Sequence, residues 1–257
     1  MISRFLSCFV GVLLFASGAA AQAPLRIAAA SDLQSVFPEL TARFERQTHH
    51  TVNVSFGSSG NFFAQIQNGA PFDLFFSADV NYPRQLESSR LTVPGTLVEY
   101  ARGRLVLWSR NDANLDLSRG LTVLAEPRVR RIAIANPEHA PYGRAAVAAL
   151  QHEQLYDRVR SKFVLGENIS QAAQFVQSGN AEAGLIALSL ALGPAMRAAG
   201  HYVDVPESYH PPIEQAAVVL RVSRQPDVAR QFLAFLMQPD NQQMLRNAGF
   251  SAPARNR

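Results

Sequence analysis

The sequence predicts an α/β fold of two lobes, each lobe a mainly parallel sheet flanked by helices. Short apolar runs alternate with amphipathic segments along the chain, which is the pattern of repeated β-α units. A length of 257 residues allows one large domain or two compact ones. The single cysteine excludes a disulfide framework and a zinc site built from cysteines. The order of strands and helices therefore decides the fold class.

The first 21 residues differ from the rest of the chain. Arg4 provides a short positive segment, an apolar stretch extends from Phe5 to Phe15, and small residues end in Ala21. This pattern is typical of a secretory signal cleaved after Ala21. No later segment approaches the ~18 apolar residues of a membrane helix. We therefore expect residues 1–21 to be a signal peptide and the mature chain to be exported and not membrane-spanning.

The first series of elements begins with a buried strand at 25–29 and an amphipathic helix at 32–47. Apolar residues recur along this helix at the spacing of a single face, namely Leu33, Val36, Phe37, Leu40 and Phe44. The same alternation predicts a strand at 51–56, a helix at 60–68, a strand at 73–76 and a helix at 82–89.

A second series predicts the other lobe. Its elements are strands at 104–108 and 131–135, a helix at 142–155, a strand at 162–164, a helix at 169–177, a strand at 183–187 and a helix at 188–199. Extended segments at 202–205 and 216–221 and helices at 226–237 and 240–248 complete the chain. We expect crossings near 100–104 and 203–207. Residues 22–102 with 206–257 would then form lobe 1, and residues 103–205 would form lobe 2.

Four turns that follow predicted strands begin helices with small or polar residues. They contain Ser31, Ser59, Tyr142 and Ile169. Open α/β sheets bind ligands at the carboxyl ends of their strands, and the first N–H groups of a helix are free to bind an anion. We expect Ser31 at the N-cap of the helix predicted from residue 32, and a serine at any one helix start is explained by capping alone. Two such turns from each lobe meeting across a cleft predict an anion site.

Neutral donors suffice for such a site. Each hydrogen bond to a charged group contributes ~1.5–3 kcal/mol, so six or seven exceed the roughly 8 kcal/mol of a micromolar complex. Lys+Arg of 24 against Asp+Glu of 20 gives a net charge of +4, but the arginines are scattered. The sequence therefore lacks the clustered basic and aromatic face of a nucleic-acid-binding protein.

Several motifs occur in order along the mature chain: AAASDL at 28–33, GSSG at 57–60, NGAPFDLFFSAD at 68–79, RLVLWS at 104–109, APYG at 140–143 and FLAFL at 232–236. Together they resemble the periplasmic molybdate-binding proteins of ABC uptake systems. The resemblance covers essentially the whole mature length. It implies a type II periplasmic-binding-protein fold with the ligand cleft between the two lobes.

The resemblance also implies which residues hold the oxyanion. They are the hydroxyl and backbone N–H groups of Ser31 and Ser59, the phenolic hydroxyl of Tyr142 and the backbone N–H of Ile169. Asp32 would contribute only its backbone N–H, with its carboxylate turned toward a helix N-terminus or a lobe 2 donor, because an ionised side chain would repel a dianion. Molybdenum enters only as the oxyanion, and no cofactor is expected.

The resemblance implies a monomeric periplasmic protein that captures molybdate, and also tungstate, and docks on a membrane permease. Two alternatives remain open at this point. One is a binding protein for another tetrahedral oxyanion such as sulfate, and the other is an exported α/β hydrolase that uses Ser59. The hydrolase is disfavoured because the chain has no G-x-S-x-G elbow at this serine.

Overall fold

The computed structural model describes residues 23–253, so the predicted signal at 1–21 lies outside the described residues. This part of the chain forms two sheets with helices on their faces. In chain order the strands are β1 (Leu25–Ala30), β2 (Val52–Gly57), β3 (Leu74–Ser77), β4 (Val98–Gly103), β5 (Leu105–Arg110), β6 (Ile132–Ala135), β7 (Phe163–Gly166), β8 (Ala183–Ala187), β9 (Gly200–Asp204) and β10 (Ile213–Val219).

The helices are amphipathic or lie at strand ends. In chain order they are α1 (Phe37–Thr48), α2 (Ser59–Gln67), α3 (Asn81–Ser88), α4 (Pro141–His152), α5 (Tyr156–Val159), α6 (Ile169–Gln177), α7 (Leu188–Ala191), α8 (Pro194–Ala199), α9 (Pro226–Leu236) and α10 (Pro239–Asn247). Within residues 23–253 no helix combines the length and apolar character that crossing a membrane requires.

The two sheets have the same plan. The first sheet has the order β2-β1-β3-β10-β4 and the second has the order β7-β6-β8-β5-β9. In each sheet one strand, β10 or β5, is antiparallel to both of its neighbours, so the other four strands run in one direction. We call the half built on the first sheet lobe 1 and the half built on the second sheet lobe 2. Both sheets are mainly parallel, as predicted.

The chain crosses between the lobes at two neighbouring places. Strand β4 leads through Arg104 directly into β5, and the chain returns between β9 and β10. The guanidinium group of Arg104 lies 2.7 Å from the Asp204 carboxylate, which joins the two crossings. Strand β4 was not predicted as a strand. Its Val-Glu-Tyr-Ala-Arg-Gly sequence is polar enough to be interpreted as a connection, yet it forms an edge strand of the first sheet.

Two predicted helices are each divided by a proline. The helix predicted at 32–47 is a 3-10 turn, Ser31–Ser35, followed by α1 with Pro38 in its first turn. The helix predicted at 188–199 is divided into α7 and α8 at Pro194. Proline has no N–H to donate to the carbonyl four residues earlier, and its ring clashes with that carbonyl. Each break therefore falls where the proline begins a new helix.

An aromatic cluster forms the core of lobe 1 beneath α1 and α9. The ring of Phe232 is fully buried and lies 5.0 Å from the Phe44 centroid, 5.9 Å from that of Phe76 and 6.2 Å from that of Phe37. Such tilted and edge-on pairs add to the stabilisation that burial alone provides. The cluster joins both helices to the sheet and so supports the strand ends that carry the site.

Replacing Phe232 by alanine tests this packing. We expect Phe232→Ala to lower the free energy of unfolding by about 3–5 kcal/mol, because a buried aromatic ring is lost and a cavity remains. Urea denaturation followed by circular dichroism measures the change. Val222→Ala is the control, since Val222 is 50% exposed, and its effect is expected to stay within about 0.5 kcal/mol. Equal effects of the two substitutions would contradict the assigned core.

Candidate functional site

One small cavity lies where the lobes meet. Its volume is about 10 Å³, which is roughly the space that one water molecule needs. Pockets for organic ligands typically measure ~300–1,000 Å³, so this site suits a ligand of only a few atoms. Its lining residues are Ala30, Ser31, Asp32, Gly57, Ser58, Ser59, Ala78, Ala140, Pro141, Tyr142 and Ile169.

The structure brings all five sequence-predicted residues to this cavity. Ser31 follows β1 and begins the 3-10 turn, and Ser59 is the first residue of α2 after β2. Tyr142 is the second residue of α4 after β6, and Ile169 is the first residue of α6 after β7. Carboxyl ends of parallel strands share one edge of a sheet. The two sheets therefore present their helix starts to the same space.

Ser59 keeps its hydroxyl proton available. Its Oγ accepts a hydrogen bond of 2.9 Å from the backbone N–H of Ala78, which holds the side chain in place. A serine hydroxyl has one proton to donate and two lone pairs to accept. Because the Ala78 bond uses a lone pair, the proton of Ser59 remains free to donate to a ligand in the cavity.

Ser31 is used differently and joins the two lobes. Its Oγ donates to Oδ1 of Asn168 at 3.1 Å and accepts from the backbone N–H of Ser170 at 3.3 Å. The interpretation of Ser31 as an N-cap is wrong, because the cap position is Ala30 and no side chain caps the 3-10 turn. The tight turn places Ser31 inside the helical segment and directs its hydroxyl group toward lobe 2.

Asn168 is a site residue that the sequence analysis did not select. It caps α6, with Oδ1 accepting from the backbone N–H groups of Ser170 and Gln171, each at 3.1 Å. The cap fixes the start of the helix, where the N–H of Ile169 has no acceptor within the helix. An Asn directly before an apolar helical segment was the available signal. The neighbouring Ile169 was chosen for its N–H alone.

The side chain of Asp32 is fully buried and holds Tyr142. Its Oδ2 accepts from the Tyr142 hydroxyl at 3.0 Å and from Nε2 of Gln215 at 2.6 Å. Among the described residues Oδ1 meets no donor at bonding geometry. The carboxylate thus faces a lobe 2 donor, and the single phenolic proton of Tyr142 is directed to Asp32. In this arrangement that proton is unavailable to a ligand.

Gln215 was also missed by the sequence analysis. It lies on β10, fully buried, and its Oε1 accepts from the hydroxyl of Tyr100 on β4 at 3.0 Å. Gln215 lies one residue before the extended segment predicted at 216–221, and an uncharged side chain next to Glu214 carries no sequence signal of a site. Its partner Asp32 is 183 residues away along the chain, so only the fold brings the two together.

Burial dominates the electrostatics of this group of side chains. It raises the pKa of Asp32 from 3.8 to about 6, although hydrogen bonds from Tyr142, Gln215 and nearby backbone amides act in the opposite direction. Burial and the Asp32 charge raise the pKa of Tyr100 and of Tyr142 well above 10. Both phenols therefore stay protonated, and Asp32 is the group that titrates near neutral pH.

Direct contacts close the lobes around the cavity. The carbonyl of His139 in lobe 2 accepts from the Ser58 hydroxyl at 2.6 Å and from the Gly60 N–H at 2.9 Å. On another side Arg144 of α4 pairs with the Asp79 carboxylate at 2.7 Å. These bonds belong to residues next to the predicted ligand residues. The turns that hold the lobes together are therefore the same turns that carry the predicted ligand residues.

The charge of the lining is unusual for an anion site. None of the described residues that line the cavity is Lys or Arg, and the one carboxylic acid among them is Asp32. Across residues 23–253 no group of three or more His, Cys, Asp or Glu side chains is arranged to hold a metal ion. The site therefore offers hydroxyl and backbone N–H donors together with one buried carboxyl group.

Comparisons with known proteins agree with this geometry. Residues 25–251 match the family model described as bacterial extracellular solute-binding protein. The chain is 38% identical over 232 residues to a molybdate-binding protein of Azotobacter vinelandii, covering 90% of this chain and 91% of that protein. It is 37% identical over 223 residues to a molybdate-binding protein of Rhodobacter capsulatus, covering 87% and 86% of the two chains.

A solved structure has the same fold over nearly the whole chain. The periplasmic molybdate-binding protein of Azotobacter vinelandii superposes with a TM-score of 0.83 at 35% identity, covering 90% of this chain and 100% of that one. The agreement extends over both sheets and supports the α/β architecture predicted from the sequence.

The buried Asp32 makes folding stability depend on pH. Its pKa is raised from 3.8 to about 6 in the folded protein, so the folded state binds more protons than the unfolded state between these values. Stability is therefore gained as the pH falls through about 6 and lost as it rises. Relative to Asp32→Asn, we expect the wild type to gain about 1–1.5 kcal/mol between about pH 7.5 and pH 5.

Urea titrations of both proteins at the two pH values measure this difference. Groups that titrate alike in both proteins cancel, because only the Asp32 side chain distinguishes them. Parallel pH profiles of wild type and Asp32→Asn would show that Asp32 is ionised in the folded protein with an ordinary pKa.

Proposed function

Because this chain belongs to the bacterial extracellular solute-binding proteins, we propose that it is the periplasmic component of an ABC importer that captures molybdate, and also tungstate, between its lobes. The observation that carries the proposal is the convergence of four helix starts on one small cavity with neutral donors. The identities of 38% and 37% to molybdate-binding proteins favour molybdate over other oxyanions of the same shape.

The proposed ligand contacts use hydroxyl and backbone donors. Ser59 donates its free hydroxyl proton, and the N–H groups at Ser31, Asp32, Ser59 and Ile169 point from helix starts, where the helix dipole favours negative charge. Tyr142 supplies the phenol, whose proton must turn from Asp32 to the anion. Each such bond to a charged oxygen contributes about 1.5–3 kcal/mol, so a dianion is held without a cation. The protein contacts the oxo oxygens and leaves the metal atom uncoordinated by side chains.

The remaining parts of the proposal concern the whole protein. Residues 1–21 act as a cleaved export signal, and the closed form docks on a membrane permease as a monomer. Residues 22–102 with 206–257 form lobe 1, and residues 103–205 form lobe 2. The chain binds and releases its ligand without converting it.

The hydrolase alternative lacks support from the geometry. His139 does lie near a serine, with Nδ1 2.9 Å from Oγ of Ser58, and its Nε2 is 3.5 Å from the Glu167 carboxylate. The Ser58 hydroxyl, however, donates its one proton to the His139 carbonyl at 2.6 Å. The imidazole must then donate to Ser58 Oγ, which is the wrong direction for a general base. These contacts hold the lobes together.

Titration calorimetry with three anions tests the proposal. We expect molybdate and tungstate to bind with micromolar or tighter affinity and sulfate to give no heat at millimolar concentration. Binding heat with sulfate alone would identify sulfate, and not molybdate, as the ligand. The absence of binding heat with all three anions would refute oxyanion binding. Turnover of model esters that disappears in Ser59→Ala would instead support the hydrolase.

Ser59 is the donor whose role is easiest to isolate. We expect Ser59→Ala to weaken molybdate binding by about 1–3 kcal/mol, or roughly 5- to 150-fold, because one donor to a charged oxygen is lost. Ser55→Ala is the matched control, since Ser55 is exposed on the preceding strand β2. The substitution also removes the acceptor for the Ala78 N–H, so thermal melting confirms folding. An unchanged affinity would show that Ser59 only positions the Ala78 backbone.

A further inference from the structure

The contacts of Tyr142 do not accommodate an anion as they stand. Its hydroxyl has one proton, and that proton is donated to Oδ2 of Asp32 at 3.0 Å. An oxyanion in the cavity would present only acceptors to the same hydroxyl. Two acceptors would then compete for one proton, unless Asp32 becomes a donor.

Gln215 limits how Asp32 can respond. Its Nε2 donates to Asp32 Oδ2 at 2.6 Å, and its Oε1 accepts from the Tyr100 hydroxyl at 3.0 Å. The Tyr100 bond fixes the amide, so Oδ2 stays between Gln215 and Tyr142. These two contacts at Oδ2 hold the carboxyl group against the phenol. A proton on Asp32 reverses the bond to Tyr142 without moving any heavy atom.

The charges around Asp32 also oppose a second negative group. The ionisable side chains that face it are Tyr142 from α4 and Tyr100 from β4, both neutral phenols. The packed helices α6 and α7 have no ionisable residue, and strand β2 has none either. Helix α1 has Glu39 in its first turn, but this residue is exposed to solvent. A dianion beside an ionised Asp32 would therefore meet an uncompensated like charge.

We propose that the site binds the tetrahedral dianion together with one proton, which the Asp32 carboxyl group takes up from solvent. The protonated carboxyl donates to the Tyr142 oxygen, and Tyr142 turns its own O–H from Asp32 to the anion. One O–H bond forms at Asp32, and only hydrogen bonds are exchanged elsewhere. This inference rests on the proposed oxyanion function and assigns to Asp32 a side-chain role beyond its backbone N–H.

The state of Asp32 without the anion makes this uptake measurable. Burial raises its pKa to about 6, so above this pH the carboxyl group is ionised before binding and the proton must come from solvent. The dianion raises that pKa further, because it is a neighbouring like charge. Uptake therefore approaches one proton per anion at slightly alkaline pH.

Calorimetry with molybdate as the probe tests the proposal. At micromolar concentration we expect the dissociation constant to rise close to tenfold per pH unit between about pH 6.5 and pH 8. Titrations at one pH in two buffers of different ionisation enthalpy count the protons directly. Asp32→Asn removes the group that takes up the proton and its negative charge, so we expect nearly pH-independent affinity and tighter binding than wild type at about pH 8.

Asp157→Asn is the matched control. Its carboxylate is 89% exposed and pairs with Arg160 on the surface, so this variant is expected to keep the wild-type pH dependence. Equal affinity of the wild type across the pH range, or zero proton uptake in both buffers, would overturn the proposal. A wild-type slope retained by Asp32→Asn would overturn it as well.

The wild-type proton count decides the matter even if Asp32→Asn fails to fold. Absence of binding at every pH would refute the oxyanion function itself, and the proton proposal with it. Binding without proton uptake would refute the proton proposal and leave the oxyanion function standing. The two failures are therefore distinguished by the same titrations.

Discussion

The site depends on the direction of the strands in the two sheets. In each sheet four of five strands run the same way, so the turns that follow β1 and β2 in lobe 1 and β6 and β7 in lobe 2 lie at matching edges. The chain crosses between lobes through Arg104 and through the segment after β9, and these crossings keep the two edges face to face. A small cavity lined by helix starts follows from this arrangement.

The same residues that line the cavity also hold the lobes together. Ser31 bonds to Asn168, Asp32 bonds to Tyr142, and neighbours of Ser59 bond to the carbonyl of His139. A ligand that enters the cavity must exchange some of these bonds for its own. Ligand affinity and lobe closure therefore draw on one set of donors and acceptors.

Much of this arrangement follows from the sequence, because it depends on local patterns. Alternating apolar runs and amphipathic segments predict the order of elements, and small residues after the strands predict the turns at Ser31 and Ser59. What could not be predicted depends on distant pairing. Strand β4 is polar enough to resemble a connection, and Gln215 lies 183 residues from Asp32 along the chain, so only the folded structure brings the two together. Pro38 is a local signal that the first helix is broken, but the apolar periodicity of residues 33–44 predicts one continuous helix.

Asp32 is the one carboxylic acid among the described residues of a site whose other polar groups are neutral donors. An asparagine in its place would avoid the cost of a buried charge. Gln215 and Tyr142 both contact the same oxygen, Oδ2, however, and no single amide atom can accept from the first and donate to the second, whereas a protonated carboxyl oxygen can do both. Burial raises the pKa of the carboxyl group to about 6, and within residues 23–253 Oδ1 meets no donor at bonding geometry. The folded protein is thus less stable when Asp32 is ionised, and an anion whose binding draws a proton from solvent onto Asp32 removes that cost. Because Asp32 is ionisable, binding of the anion and protonation of the cavity lining are coupled.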